Sequence, residues 1–321
     1  MFERPGGRLR GFVFRRFLAT LPVLLAVLTL SFAMMQLVPG DPVQMLLSGA
    51  GSPPTVDQEQ QLRQQLGLDQ PLKQQYLSFL GNVVHGDFGH SVRTGEPVAT
   101  LIGAAAPASA LLAGTALVLG LVFGIGVALL ASVTRLALLR TILDALPVLA
   151  MSMPAYWVAL LLIQLFSFQL GLFPATGNQG FASLVLPAVT MALPAAGVIA
   201  QVLGSELRAA STESYVVTAR AKGASPWRVA LRHMLRNASI PTITVVGTTV
   251  GNLLAAAVVA ETVFARQGLG RLTVTAITSH DLPVLQGMVA LLGVLYVLVS
   301  LLVDVLYAYV DPRVTSDRRR D

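Results

Sequence analysis

The sequence contains no cysteine. Disulfides, thiolate nucleophiles and cysteine-ligated metal centres are therefore excluded, while the redox compartment stays open. Charge is scarce as well. Only 12% of the residues are charged, against about 25% in a typical soluble domain. Between Asp144 and Glu206 no charged residue occurs at all, across 61 positions. Walker A, nucleophile-elbow and HExxH patterns are absent, so the chain is not expected to hydrolyse ATP by itself. The four histidines, His85, His90, His233 and His280, share no metal-ligand spacing.

What is abundant is apolar. Hydrophobic residues make up 54% of the 321, with a mean hydropathy of +0.70. Too little polar surface remains to clothe a water-soluble protein of this length, so most of its exterior must face lipid. Six apolar segments are predicted: Phe17–Val38, Ala108–Val133, Leu143–Leu170, Ser183–Ser205, Ile240–Phe264 and Leu282–Tyr309. The first follows Arg4, Arg8, Arg10, Arg15 and Arg16, and at 22 residues it exceeds a signal-peptide core, so it is read as a retained helix. The turn residues 171–180 divide the charge-free stretch into two spans.

The net charge of +6 does not indicate nucleic acid, because the basic residues sit in short segments between apolar runs. With the N-terminus inside, seventeen of the 22 Lys and Arg fall in inner segments. The outer ones hold Arg63, Lys73, Arg93, Arg266 and Arg271. Positive-inside bias thus predicts both termini in the cytoplasm.

Residues 1–38 then form the cytoplasmic N-terminus and first span, and 39–107 an external subdomain with helical stretches near Val56–Gly67 and Leu72–Val84. Residues 108–311 make a five-helix core, and 312–321 a cytoplasmic tail. Within that core the inner loop 206–237 has the grammar helix, stop, helix. Thr212 can cap a first helix and Gly223 can end it in the left-handed conformation. Ser225 with Pro226 is an N-cap followed by proline at the first helical position. On the second helix Arg228, Arg232 and Arg236 recur every four residues, and Trp227, Leu231 and Leu235 mark another face. Spacing alone suits either a basic helix lying on lipid headgroups or a lever on which a soluble motor docks.

The segment from Tyr215 to Gly223, continued by Arg232 to Pro241, resembles the coupling loop of ATP-binding-cassette (ABC) importer permeases. It is most similar to the dipeptide/oligopeptide/nickel permease family, in its B-type subunit. Leu37–Pro42, Leu66–Pro71, Gly86–Ser91, Ser152–Trp157, Glu261–Phe264, Gly268–Arg271, Leu302–Tyr307 and Asp311–Arg313 agree in order along nearly the whole chain. The wider pattern opens with Glu-Ala-Ala and ends with Leu-Pro, where this chain has Val217-Thr218-Ala219 and Leu235-Arg236. The resemblance implies an all-α polytopic membrane protein with six transmembrane helices, a type I importer permease fold and a cytoplasmic coupling helix. It implies an inner-membrane subunit working with a second homologous permease, two ATPases that bind the ATP and magnesium, and an extracytoplasmic binding protein. The chain would bind no cofactor. Thr218, Ala219, Arg220, Ala221, Lys222, Gly223, Ala224, Ser225, Pro226, Trp227, Arg228 and Arg232 would form the ATPase-coupling loop. Peptides are the expected cargo, in a family that also carries glutathione, nickel complexes and haem.

Buried charge is costly, so acidic residues in or near spans are candidates for function. Glu261 has Arg266 and Arg271 as available partners, for a structural ion pair or an outer gate. Asp304 is a candidate packing anchor. Pro147 and Pro154 are expected to break span three, and Pro187 and Pro194 to kink span four. Gly120, Gly124 and Gly126 allow close helix approach. A short amphipathic helix is expected after Gln267. A secondary transporter would need carboxylates facing a midplane cavity, which the charge-free 145–205 stretch opposes. An intramembrane protease would need a buried catalytic pair, and no histidine falls in a span.

Overall fold

The computed structural model describes residues 5–37, 60, 63 and 69–310. Most of the predicted helix near Val56–Gly67, the tail after 310 and the side chain of Asp304 lie outside the described residues. Within them the chain is all α. Its helices are α1 (Pro5–Leu37), α2 (Leu72–Val84), α3 (Val98–Val133), α4 (Ala137–Ser152), α5 (Ala155–Leu162), α6 (Ala182–Ala210), α7 (Ser214–Ala221), α8 (Pro226–Val229), α9 (Leu235–Val263), α10 (Leu269–Thr278) and α11 (Leu282–Val310). Helices satisfy every backbone group internally, which lipid demands. Two π-helical turns interrupt the pattern: Ile163–Gln169 continues α5, and Ala230–Met234 joins α8 to α9.

Four continuous helices are long and apolar enough to cross a membrane: α3, α6, the run Pro226–Val263 and the part of α11 up to Leu302. The predicted third span is a bent pair instead, Ala137–Ser152 and Ala155–Gln169 meeting at 104°. Pro154 makes this break, standing before α5 with extended dihedrals. Pro147 does not; it sits inside α4, as Pro107, Pro187, Pro194 and Pro241 sit inside α3, α6 and α9. The apolar run within α1 is Leu18–Ala33. Six spans were expected, and the described helices account for four, or five with the bent pair.

The chain divides into two compact units, residues 1–17, 107–271 and 298–321 in one, and 18–106 with 272–297 in the other. In the first, α6 is the hub, with α4, α5 and α9 packed on it. Two thirds of its apolar stretch is buried (67%). Lipid tails are as apolar as leucine, so helices associate here through close packing rather than through hydrophobic transfer. Small residues make up five of the nine in the buried cluster there: Ala188 and Ala195 lie with Ala116, Ala257 and Ala260, alongside Leu112, Leu184, Met191 and Leu253. Gly124 is essential to this approach, since a Cβ there would come within 2.9 Å of the Ala196 carbonyl and Ile199. Gly126 has open space and plays no such part. In the second unit Phe32 on α1 meets Tyr76 edge-on and stacks with Phe79, while Thr29 and Tyr76 share a 2.7 Å hydrogen bond.

Candidate functional site

The loop between α6 and α8 folds as its local sequence dictates. One cap differs from expectation. Glu213 occupies the position before α7, and the Thr212 hydroxyl turns back to donate to the Ala209 carbonyl. Gly223 takes φ +82°, where a side chain would be strained. Its N–H donates to the Arg220 carbonyl at 2.9 Å and the Ala224 N–H to Ala219 at 3.1 Å, the paired bonds of a Schellman stop. Ser225 then caps α8, its hydroxyl accepting from the Arg228 N–H at 3.4 Å, with Pro226 leading the helix. Tyr215 and Asn237 tie the two arms together across 3.3 Å.

Burial sorts the side chains by role. Val216, Val229, Ala230, Met234 and Ala238 are buried against Leu203, Leu207 and Ala210 of α6 and Ala128 and Leu129 of α3. The apolar face read from the sequence is divided: Leu235 is half-buried against this core, whereas Trp227 is 46% and Leu231 50% exposed, beside exposed Arg228, Arg232 and Arg236. Thr218, Arg220, Ala221, Lys222, Gly223, Ser225 and Pro226 are exposed too, while Ala219 and Ala224 are half-buried. Arg208, at the start of the loop, pairs with Asp144, as Arg140 does, whereas no ion pair within the described residues involves Arg220, Lys222, Arg228, Arg232 or Arg236. The result is a rigidly backed, basic, apolar-tipped turn that offers itself to another molecule.

The second helix of the loop does not stop after Arg236. The run from Pro226 to Val263 is one apolar helix of 38 residues, with the π turn near its start. The exposed turn is thus the end of the element that carries Glu261.

The expected pairing of Glu261 with Arg266 or Arg271 is not what forms. Glu261 is 1% exposed, and its carboxylate accepts from the Ser109 hydroxyl (2.5 Å) and the backbone N–H groups of Gly270 (2.8 Å) and Arg271 (3.2 Å). The Ser109 oxygen in turn accepts from the Leu269 N–H at 2.7 Å. The free donors at the start of α10 satisfy the buried charge without an ion pair. Gly268 leaves room for it, because a Cβ there would lie against the carboxylate. Arg266, 3% exposed, reaches the carbonyls of Gly177 and Ser183 and the Ser183 hydroxyl, pinning the 171–180 turn. Burial lowers its guanidinium from the ordinary value, and the Glu261 charge opposes that.

Sequence reasoning missed Ser109, and it missed Asp281. Asp281 is 3% exposed, and its carboxylate accepts from Ser91 (2.5 Å) and the N–H groups of Val92 (3.1 Å) and Arg93 (3.4 Å). Arg266 and Asp281 each follow a residue with positive φ that is not glycine, Ala265 (47°) and His280 (54°). Both close Schellman stops: Arg266 N–H to Glu261 at 2.8 Å, Asp281 N–H to Ala276 at 2.8 Å. An Asp ahead of a helix beginning Leu282-Pro283 was a readable cue for a capping role; its long-range partners were not.

Comparisons agree along the chain. Residues 97–316 match the family described as binding-protein-dependent transport system inner membrane component, and 9–111 match the N-terminal family of the same systems. A putative peptide transport system permease protein of Brucella abortus (strain 2308) is 38% identical over 95% of this chain and 99% of its own length. The glutathione transport system permease protein GsiC of Escherichia coli (strain K12) is 37% identical over 94% and 98%. Among solved structures, a chain of the MetNI methionine ABC transporter in an inward-facing conformation superposes with a TM-score of 0.56 at 22% identity. It covers 66% of this chain and 96% of that one, a likeness of fold. This chain, an integral inner-membrane protein, belongs to the family of binding-protein-dependent transport system inner membrane components, the permease subunits of ABC importers.

Proposed function

We propose that this chain is the permease subunit that passes peptides across the inner membrane, together with a second homologous permease, two ATPases and an extracytoplasmic binding protein. The observation that carries the reading is the backed, exposed turn Lys222–Arg228 in a chain that matches permeases end to end. The turn is the coupling site. Ala221, Lys222, Gly223, Ser225, Pro226 and Trp227 enter a groove on an ATPase, while Thr218, Arg220, Arg228 and Arg232 meet its acidic rim. Ala219 and Ala224 hold the turn from behind.

ATP and magnesium bind in the ATPases, and this chain contributes neither a nucleotide site nor a cofactor. Both termini and the loop 206–237 face the cytoplasm, where the basic residues gather. Buried Val229 and Met234 give the docked turn a firm seat on α6, so motion of the motor reaches the spans. Glu261, with Arg266 and Arg271 in the segment that follows, belongs to the outer end of the same lever.

The test is purification of the tagged chain from native membranes in mild detergent, identification of its companions, and peptide uptake by the reconstituted complex. A second permease, Walker-A ATPases and ATP-dependent uptake are expected. A chain that emerges alone and moves solute on an ion gradient without an ATPase overturns the reading in favour of a secondary transporter.

A further inference from the structure

One face of α9 differs from the exposed faces of α3 and α11. Thr244, Thr248, Asn252, Ala255, Val259 and Thr262 are all exposed and recur at helical spacing along it. The large exposed side chains along the middle of α3 are Leu111, Val118, Val122, Phe123 and Leu130, as lipid requires. Those of α11 include Leu298 and Leu302. Asn252 stands near the middle of α9, and its carboxamide makes no hydrogen bond among the described residues. Thr248 and Thr262 turn their protons back to the helix, at Val245 and Val258, which leaves oxygen lone pairs outward.

An unpaired carboxamide does not persist against hydrocarbon; it needs water or a polar partner. Beside it a small cavity of about 90 Å³, room for a few waters, opens between α6 and α9, lined by Met191, Pro194, Val198, Thr249, Asn252 and Ala256. Pro194 cannot donate to the Thr190 carbonyl, so α6 contributes a released backbone acceptor one turn back along the helix.

We infer that the face Thr244–Thr248–Asn252–Ala255 lines the water-filled path and that Asn252 hydrogen-bonds the backbone of the passing peptide. A carboxamide donates and accepts at once, which complements a peptide amide. The face carries no charge. It therefore reads the feature common to all peptides and is indifferent to the charge of their side chains. This inference rests on the peptide-permease reading and adds the residues that meet the cargo.

The absence of native cysteine makes the test direct. Thr248→Cys, Asn252→Cys and Ala255→Cys, with Val118→Cys and Val122→Cys as lipid-facing controls, are introduced singly into the complete transporter in proteoliposomes. Each is treated with a membrane-impermeant cationic methanethiosulfonate, and modification of this chain is read by mass spectrometry. The expected result is labelling of the α9 positions roughly ten-fold faster than the controls, slowed by adding binding protein loaded with dipeptide. Equal rates on both helices in vesicles that accumulate dipeptide overturn the inference, assigning the face to lipid or to a neighbouring helix. Fast labelling that dipeptide does not slow overturns the role of Asn252 in contacting cargo. Failure of the permease reading itself is seen separately, as absent ATP-driven uptake by the unmodified complex before any reagent is added.

Discussion

The Ser109 hydroxyl and the Glu261 carboxylate, on helices 152 positions apart in sequence, share a buried 2.5 Å hydrogen bond that also anchors the first turn of α10. Glu261→Gln keeps the shape and removes the charge that faces two backbone donors. A charge-assisted bond of this kind contributes about 1.5–3 kcal/mol. Faster amide exchange is expected across 269–278 together with a lower unfolding temperature. Ser109→Ala, which removes a neutral group that both donates and accepts, is expected to act in the same direction at about 1 kcal/mol. Unchanged exchange in both variants would show that α10 stands without this anchor.

Gly223→Ala places a Cβ on a residue at φ +82°. The left-handed penalty of about 1–2 kcal/mol falls on a turn with open space around it, so the chain should insert normally. Peptide uptake and peptide-stimulated ATPase activity should both fall. Gly223→Pro should abolish them, because its φ is incompatible and the bond to Arg220 is lost. Normal transport by Gly223→Pro would remove the turn from the mechanism.

Trp227 and Met234 share one helical run and differ in burial, 46% and 2% exposed. Met234→Ala should cost about 2–5 kcal/mol of stability by opening a cavity. Trp227→Ala should leave stability within about 0.5 kcal/mol and weaken ATPase binding. Arg228→Glu with Arg232→Glu should weaken it further, and wild-type binding should fall as salt rises. The two readouts are thermal unfolding of the isolated chain and ATPase affinity at several ionic strengths.

Ala265 and His280 hold left-handed backbones that glycine adopts freely. Ala265→Gly and His280→Gly should each raise stability by up to about 1 kcal/mol, visible as a higher unfolding temperature. A loss of uptake in these more stable proteins would identify the strain as part of the working cycle.

The features legible in the sequence were those decided within a few residues. Gly223 as a stop and Ser225-Pro226 as a start follow from local backbone chemistry, and both formed. Leu72–Val84 was read to the residue, whereas α3 begins at Val98, ten positions before its apolar run. Which side of the helix from Pro226 is buried depends on what α6 and α3 bring to it, so the exposure of Trp227 and Leu231 was not legible from an amphipathic spacing. The partners of Glu261 and Asp281 come from Ser109 and Ser91, at separations of 152 and 190 residues that no local pattern encodes. Pro147 looked as disruptive as Pro154, yet only the latter meets an abrupt change of direction.

That 104° elbow also governs parity. Each crossing reverses the side on which the next loop emerges. The five arginines before residue 17 and the six basic residues from Arg208 to Arg236 can share a compartment only if the bent pair counts as one full passage. Were it to dip in and return, everything downstream would invert, and the Gly223 turn would face away from any ATP. Small tags at 176 and 223, probed from each side of sealed vesicles, therefore report whether a folded-over arm of two half-helices does the work of one straight rod.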